Sequence, residues 1–384
     1  MQDLPGRLAF SVLLGGRCRR RYKIAAKAQR KPTLGKGSNM AVNVGLVGLG
    51  MVGTIHLTSM RQVEQVKVVA VCDARRERLE QNLSDISGNI ETAGAECDLS
   101  GIRRYSDFAE MLADEQVQAV DICLPTYLHA EATIRAMEAG KDVLCEKPMA
   151  LTGAEASRMA DAARACGRRL MIAHCLRFWP EYVALKEAID SRRFGSVLGA
   201  TFTRVGAQPD WSADDWLADA GRSGSAALDL HIHDTDVAQW FFGPPTSVFS
   251  RGIADPGGGL RHVTTQYDFS DGPAVVAEGG FVVGKYPFRM TARVVFEDAT
   301  MEFVYPREKT LAVYHADGSV AEPEVPRADA YAEEIRHFAE CVSGKAEATR
   351  LPLTDAVRAV RIVEAEIESA RTGRPVGIWP DGCA

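Results

Sequence analysis

The segment that most constrains the fold is a glycine-rich turn directly after the first strongly apolar run. Residues 42–47, Val-Asn-Val-Gly-Leu-Val, are predicted to form a short strand, and residues 48–53, Gly-Leu-Gly-Met-Val-Gly, follow in the pattern G-x-G-x-x-G. The first glycine permits a tight turn, the second lets the backbone approach an anion, and the third permits close packing of helix and strand. A helical pattern over residues 54–61 follows. The sequence therefore predicts a strand–turn–helix unit that can bind a phosphate at the helix N-terminus.

Apolar strands alternate with helical patterns over the next 120 or so residues. Strands are predicted at residues 66–72, 119–124, 142–145 and 169–173, and helices at 75–83, 108–114 and 128–139, with Gly140 as the stop signal of the last helix. Such alternation is typical of βαβ units around a parallel sheet that is covered on both faces.

The pattern changes after about residue 195, where strands follow one another with short turns. They are predicted at residues 197–205, 247–253, 263–269, 274–282, 289–296, 300–305 and 310–315, and two helical segments follow at 330–342 and 354–372. Consecutive strands with tight turns favour an antiparallel sheet. The predicted fold class is α/β: an N-terminal Rossmann dinucleotide-binding domain and a C-terminal α+β domain with a large, mostly antiparallel open sheet.

Charge is distributed unevenly along the chain. The net charge of −6 combines +9 in residues 1–39 with −15 in the remainder. We expect residues 1–39 to be a basic leader that is disordered or precedes the true start at Met40, with an organelle transit peptide as the alternative. The expected domains are then residues 40–165, which bind NAD(P), and residues 166–384, which bind substrate and form the oligomer.

Cysteine usage and hydropathy narrow the class of protein further. The nine cysteines are odd in number and none forms a C-x-x-C pair, which argues against a disulfide framework and a structural zinc site and favours a cytoplasmic protein. No apolar run reaches the ~20 residues that a membrane-spanning helix needs. The acidic body also argues against nucleic acid as a partner, so we expect neither nucleic acid nor membrane partners.

An acidic residue follows the second predicted strand. Asp73 lies twenty-three residues after Gly50, where a carboxylate would accept hydrogen bonds from the ribose hydroxyls of NAD and repel a 2′-phosphate. Arg75 and Arg76 follow at once and could instead pair with that phosphate, so NADP stays open as the alternative cofactor. The turn residues expected to contact the dinucleotide are Gly48, Gly50, Met51, Val52 and Gly53.

A lysine stands at the end of the predicted strand over residues 142–145. Glu146-Lys147-Pro148 would lie at the edge of the sheet where the carboxyl ends of parallel strands face the ligand crevice. Lys147 is therefore expected to project towards the nicotinamide; the alternative is an ordinary surface salt bridge.

The densest polar cluster is residues 223–236, which contains Asp229-Leu230-His231-Ile232-His233 and leads into a predicted helix. Asp229 and His233 are four residues apart and would share one helix face, where a carboxylate orients an imidazole and raises its basicity. His231 would lie on another face as a structural histidine. A competing interpretation is a metal-dependent hydrolase that uses Asp229, His231 and His233; no later ligand series completes that set, and no metal is expected.

These motifs together resemble the glucose–fructose oxidoreductase/inositol dehydrogenase (Gfo/Idh/MocA) family over residues 41–380. The resemblance rests on motifs that occur in a fixed order along the chain: the glycine turn with His56, then Asp73, Leu124-Pro125-Thr126 with His129, Glu146-Lys147-Pro148, Arg177-Phe178 with Pro180, and Asp229-x-x-x-His233. The chain departs from the family's glycine run before Asp229, which is Ser223-Gly224-Ser225 here.

The resemblance implies an NAD(P)-dependent dehydrogenase or reductase that transfers hydride between nicotinamide and a secondary alcohol carbon of a sugar, inositol or related polyol. Lys147 would hydrogen-bond the reacting oxygen, and His233 would take the substrate proton with Asp229 orienting it. Further residues are implied by position. Those on the cofactor side are Pro125, Thr126, His129, Glu146 and Lys147, and those on the substrate side are Lys147, Arg177, Trp179, Asp229 and His233, with Trp211 or Trp216 as further candidates.

Two expectations concern partners and the main alternative function. An uncovered sheet face in the second domain predicts a homodimer or homotetramer. A dinucleotide-binding regulator without catalytic activity on the same fold is the alternative to an enzyme.

Overall fold

The computed structural model describes residues 41–80, 98–210 and 212–378, apart from the side chain of residue 213. The basic leader, residues 81–83 of the predicted helix over residues 75–83, and Trp211 lie outside these ranges. None of the described helices is long and apolar enough to cross a membrane.

The first sheet is parallel and has helices on its connections. Its described strands run in the order β3-β2-β1-β4-β5-β6, and every neighbouring pair is parallel. The strands are β1 (Val42–Val47), β2 (Val66–Cys72), β3 (Arg103–Tyr105), β4 (Ala119–Ile122), β5 (Asp142–Glu146) and β6 (Leu170–Ala173). The helices are α1 (Met51–Met60), α2 (Arg76–Glu80), α3 (Phe108–Ala113), α4 (His129–Glu138) and α5 (Gly153–Cys166). The strand order reverses between β1 and β4, where such sheets open a ligand crevice.

Two elements of this half are missing from the sequence prediction, namely β3 and α5. β3 has three residues, which is too short for an alternating pattern. Helix α5 is rich in alanine, and the residues most typical of a helix are its two caps. The Thr152 side chain accepts from the Glu155 backbone N–H, and Gly167 ends the helix in the left-handed conformation at φ +60°.

The second sheet has nine strands among the described residues, in the order β14-β13-β12-β11-β7-β10-β9-β8-β15. They are β7 (Val197–Ala207), β8 (Ser247–Ala254), β9 (Leu260–Asp268), β10 (Ala274–Val282), β11 (Arg289–Phe296), β12 (Ala299–Tyr305), β13 (Leu311–His315), β14 (Val320–Ala321) and β15 (Val376–Gly377). The pair β7–β10 is parallel and all others are antiparallel. The two sheets confirm the predicted fold class.

Helices cover one face of the second sheet and reach back to the first. They are α6 (Pro180–Asp190), α7 (Ala220–Ser223), α8 (Ile232–Phe242), α9 (Ala330–Val342) and α10 (Leu353–Thr372). The core between α6, α8 and the sheet contains Tyr182, Phe241 and Phe303. Ile335 and Phe338 of α9 instead share a cluster with Val42 and Val44 of β1. Helix α10 packs against both sheets, since Val360 shares a cluster with Val120 of β4 and Ile362 shares one with Phe303 of β12.

A buried ion pair ties the middle of the second sheet to the helix above it. Arg204 of β7 donates from Nε and Nη2 to the two carboxylate oxygens of Asp234 on α8, at 2.9 and 3.1 Å. Both residues are at most 3 % exposed, and Nη2 also donates to the Tyr182 hydroxyl at 3.1 Å. Loss of one partner would leave an uncompensated charge in the core.

We predict that Asp234→Ala lowers the free energy of unfolding by about 3–5 kcal/mol, because it leaves the Arg204 guanidinium buried without its carboxylate partner. Denaturant unfolding followed by circular dichroism measures this change. The matched control is Glu368→Ala, which breaks an exposed ion pair with Arg371 and should leave the unfolding midpoint unchanged. Equal midpoints for the two variants would contradict the prediction.

Candidate active site

The glycine turn after β1 is shaped by close backbone contacts. A Cβ on Gly48, which has φ +91°, would lie 2.4 Å from the carbonyl oxygen of Cys123, and one on Gly53 would lie 1.9 Å from the carbonyl oxygen of Gly48. A Cβ on Gly50 would meet no atom within 4 Å. Packing therefore demands the first and third glycines, whereas the second leaves open space beside the N-terminus of α1.

The start of α1 is suited to an anion. Gly50 caps the helix without a side-chain hydrogen bond, and the first turn contains no acidic residue. The N–H groups of Met51 and Val52 belong to the first helical turn, where an α-helix leaves its N–H groups without partners in its own backbone. Together with the helix dipole, this end of α1 can accept a phosphate.

Asp73 closes the turn from the end of β2. Its Oδ2 accepts from the backbone N–H of Leu49 at 2.8 Å, and its Oδ1 accepts from the backbone N–H of Arg75 at 2.8 Å. The Arg75 Nε lies 3.4 Å from the same Oδ1 and its side chain is one third exposed. A carboxylate and a guanidinium thus stand side by side where the sequence predicts the adenosine ribose.

The segment after β4 is fixed by His129, the first residue of α4. Its Nδ1 lies 2.7 Å from the carbonyl oxygen of Pro148 and its Nε2 lies 2.7 Å from that of Leu124. The ring is 1 % exposed, and burial lowers the pKa of His129. The expected contact of His129 with the cofactor is therefore corrected: the ring holds together the segments after β4 and β5. Of the other two predicted residues here, Thr126 is also buried and Pro125 is half-buried.

Lys147 reaches from the end of β5 to the second half of the chain. Its Nζ donates to the carbonyl oxygen of Asp229 at 2.7 Å and lies 3.4 Å from Asp229 Oδ1. The two side chains are 15 % and 18 % exposed. The backbone N–H of Lys147 donates to Glu146 Oε2 at 2.9 Å. The structure therefore brings Lys147 and Asp229 together although they are far apart in sequence.

The predicted pairing of Asp229 with His233 is not formed. Residues Ala227–His231 make a π-helical turn and α8 begins only at Ile232, so one regular helix does not present the two side chains on a common face. The Asp229 carboxylate instead lies against the Lys147 ammonium, and the described residues contain no hydrogen bond between Asp229 and His233. This corrects the role expected for Asp229.

His233 is held as a neutral imidazole. Its Nδ1 is enclosed without a hydrogen-bond partner within the described part of the chain. Burial and then the positive charge of Lys147 lower the pKa of His233 well below its ordinary value. A neutral imidazole can accept a proton from a bound hydroxyl.

His231 points away from His233. Its Nε2 lies 3.2 Å from the hydroxyl of Tyr267 on β9 and 3.4 Å from Glu366 Oε2 on α10, and the ring is fully buried. The set Asp229, His231 and His233, which the metal-hydrolase interpretation requires, is therefore not assembled at one point.

Arg177 is buried among carboxylate side chains. Its guanidinium donates to Asp236 at 2.7 and 2.9 Å and to Asp355 at 3.0 Å, and the residue is 1 % exposed. The Arg177 guanidinium is therefore held by carboxylates of the protein itself, and its expected contact with substrate stays a prediction. Trp179 precedes α6 and packs half-buried against two core clusters, and Trp216 is also half-buried.

Sequence reasoning missed His174, which directly follows β6. The residue is 2 % exposed, its Nδ1 lies 3.6 Å from Asp236 Oδ2, and neither ring nitrogen has a hydrogen-bond partner among the residues described. Burial lowers the pKa of His174, which favours the neutral form of its ring. The available signal was its position at the carboxyl end of a parallel strand, at the same edge as Lys147.

We predict that Gly50→Ala weakens NADH binding by about tenfold or more while thermal unfolding is unchanged, because the added methyl group fills only the open space beside α1. Quenching of protein fluorescence by NADH measures the affinity. Gly48→Ala is the matched comparison: its positive φ and the contact with Cys123 should lower stability by more than about 1 kcal/mol. Unchanged NADH affinity in a folded Gly50→Ala protein would contradict this placement.

Two family models match the chain in succession. The model for an oxidoreductase family with an NAD-binding Rossmann fold, GFO_IDH_MocA, matches residues 42–174, and the model for the GFO/IDH/MocA C-terminal domain matches residues 182–302. The two matches cover the parallel sheet and most of the second sheet.

Similar proteins extend this result. An uncharacterized oxidoreductase, ORF334 of Rhizobium meliloti, is 33 % identical over 57 % of this chain, and the match spans less than two thirds (64 %) of that relative. Inositol 2-dehydrogenase 2 of Saccharopolyspora erythraea is 27 % identical over 89 % of this chain and 97 % of its own length.

The fold also matches solved structures. Levoglucosan dehydrogenase in complex with NADH and levoglucosan superposes with a TM-score of 0.75 over 89 % of this chain and 100 % of that one, at 22 % identity. The two family models and the shared fold confirm the family resemblance drawn from the motifs. The chain belongs to the GFO/IDH/MocA family of oxidoreductases, with an NAD-binding Rossmann domain.

Proposed function

We propose that this protein is an NAD(P)-dependent dehydrogenase that transfers hydride between nicotinamide and a secondary alcohol carbon of a sugar, inositol or related polyol. The observation that carries the proposal is the contact of Lys147 with Asp229 beside the carboxyl end of β5, with the buried His233 under the influence of the Lys147 charge, on a family fold that binds NAD. The names of relatives, such as the inositol 2-dehydrogenase, support a polyol as substrate.

Each of the three side chains has a different role in the oxidation of the alcohol. The substrate hydroxyl gives its proton to His233, while a carbonyl forms at the reacting carbon. Lys147 Nζ has three N–H donors, so one is free for the reacting oxygen after its two contacts with Asp229. Asp229 positions the ammonium group and offsets its charge. Bound NAD(P) supplies the hydride acceptor.

The two halves of the chain take different parts of the reaction. Residues 40–165 would hold the dinucleotide through the open face of Gly50 and the first turn of α1. Residues 166–384 would supply Asp229, His233 and the substrate pocket. Asp73 favours NAD, whereas Arg75 beside it offers a partner for the 2′-phosphate of NADP.

Assembly and location are further parts of this proposal. The described cysteines Cys72, Cys123, Cys145, Cys166, Cys175 and Cys341 are free thiols, which suits the cytoplasm. We place a homodimer or homotetramer contact on the second sheet, where Leu198 and Ile253 are 55 % and 60 % exposed.

We predict that Lys147→Ala and His233→Ala each lower kcat by about 10²-fold or more with NADH affinity retained, since each removes a group that acts on the reacting oxygen or its proton. NADH production over a panel of polyols and sugars measures turnover. Matched controls are Lys67→Ala, on an exposed position of β2, and His337→Ala, on α9. Wild-type NADH binding without turnover of any panel member would favour the non-catalytic regulator.

We predict that Asp73→Ala lowers the preference for NAD over NADP, measured as the ratio of kcat/KM values, by about tenfold or more, because it removes the charge that repels the 2′-phosphate. Thermal unfolding is recorded in parallel, since Asp73 also accepts the Leu49 N–H. Arg75→Ala is the companion variant and should lower the use of NADP. An unaltered ratio in both variants would show that neither residue selects the cofactor.

A further inference from the structure

A buried chain of hydrogen bonds runs behind the proposed site. His56, on α1, is fully buried; its Nδ1 lies 2.8 Å from Asp121 Oδ2 and its Nε2 lies 3.0 Å from Glu146 Oε1. Asp121 lies on β4 and Glu146 ends β5. One imidazole therefore bridges a helix and two neighbouring strands of the parallel sheet.

A proton on His56 balances part of the negative charge of Asp121 and Glu146. Both ring nitrogens face carboxylate oxygens, so both must carry hydrogen to make two hydrogen bonds. Burial alone would lower the pKa of His56, but the neighbouring Cys123 and Asp121 raise it well above its ordinary value. Burial also opposes ionisation of Glu146, yet the hydrogen bond from His56 keeps its pKa low.

The same carboxylate reaches Lys147. Glu146 faces His56 with Oε1, and with Oε2 it accepts the backbone N–H of Lys147 at 2.9 Å. Lys147 then donates from Nζ to the carbonyl oxygen of Asp229. A series of hydrogen bonds therefore leads from Asp121 through His56 and Glu146 to the backbone of Lys147, whose side chain extends into the proposed active site.

His56 also connects this series to the glycine turn. It lies on the helix that begins beside Gly50, and Gly53 of that helix packs directly on Gly48. The turn, the helix and the imidazole are thus one packed unit. A ligand bound at the start of α1 would therefore contact the same helix that carries His56.

Helix α9 encloses the cluster from the other side. The Tyr331 ring centroid lies 5.7 Å from that of His56. Glu334 is fully buried, and neither of its carboxyl oxygens has a hydrogen-bond partner among the residues described. Burial raises the pKa of Glu334 well above its ordinary value, so it is a neutral acid. Ligand atoms of His56, Glu146 and Glu334 lie within 4.8 Å of one another, a spacing that a divalent cation could also use.

A proton explains the cluster better than a cation does. An imidazole that donates from both nitrogens has no lone pair for a metal ion. His56 also keeps normal hydrogen-bond distances to two carboxylates at once. A bound divalent cation is therefore treated as one possible result of the experiment below.

We propose that His56 is a positioning residue for Lys147: it holds the Glu146 carboxylate, which fixes the Lys147 backbone and so keeps Nζ at the reacting oxygen. The kinetic part of this proposal rests on the proposed dehydrogenase function. The placement of the lysine does not, because it concerns only contacts within the protein.

The two ring nitrogens can be tested separately with amide side chains. His56→Gln places an N–H donor near the position of Nε2 and keeps the contact with Glu146. His56→Asn places its donor near the position of Nδ1 and keeps only the contact with Asp121. Both amides are neutral and polar, so the pair differs mainly in which carboxylate is held. His337→Asn, a histidine of α9 outside the cluster, is the control.

The main measurement is the rate at which an acylating reagent labels Lys147 in the full-length protein, followed by mass spectrometry of its peptide. Exposed Lys67 is the internal reference. We expect labelling of Lys147 to be at least about threefold faster in His56→Asn and near the wild-type rate in His56→Gln and His337→Asn. In the kinetic assay, kcat should fall about tenfold or more in His56→Asn, with KM for NAD little changed.

Three results would overturn the proposal. The first is equal Lys147 labelling in His56→Asn and the wild type. The second is the same change in both His56 variants together with equal loss of thermal stability, which indicates a purely structural role. The third is a stoichiometric metal in the purified protein that either variant removes. Failure of the proposed dehydrogenase function would be seen separately. The wild type would then turn over no substrate, while the expected differences in Lys147 labelling would still be observed.

Discussion

The proposed active site depends on one contact, the hydrogen bond from Lys147 Nζ to the carbonyl oxygen of Asp229. It joins the end of a parallel strand in the first sheet to a π-helical turn above the second sheet. Both residues are only partly exposed, so the contact is formed where water is largely excluded and electrostatic interactions are stronger. The position of the ammonium group then sets the electrostatics of its neighbours, His233 above all.

Charge around this contact is arranged in two layers. At the crevice, the ammonium of Lys147 faces the Asp229 carboxylate, and burial together with the charge of that ammonium lowers the pKa of His233. Behind the crevice, His56 shares its ring hydrogens between Asp121 and Glu146, while Arg177 is paired with Asp236. Charged groups in the interior are costly unless paired, and these pairs satisfy the charges around His233, whose Nδ1 has no hydrogen-bond partner among the described residues.

Much of the fold could be predicted because its signals are local. Strand β1, the glycine turn and α1 follow from a short apolar run and three glycines, and β10, β11 and α9 have the predicted bounds. Helix α5 was not predicted although its buried residues recur at helical spacing, because that face is mostly alanine and glycine and differs little in hydropathy from the exposed face. The parallel pairing of β7 with β10 was also missed, because pairing between strands distant in sequence leaves no local pattern.

The sequence by itself determined which residues are available for chemistry: the open Gly50, and Lys147, Asp229 and His233 at the ends of predicted elements. Only the tertiary structure decided their partners. Asp229 pairs with Lys147 and not with His233, Arg177 and His129 are buried as supports, and His56 joins Glu146. The physical reason is that periodicity specifies the direction of a side chain within its own element. Hydrogen bonds between elements depend on distances that only packing sets.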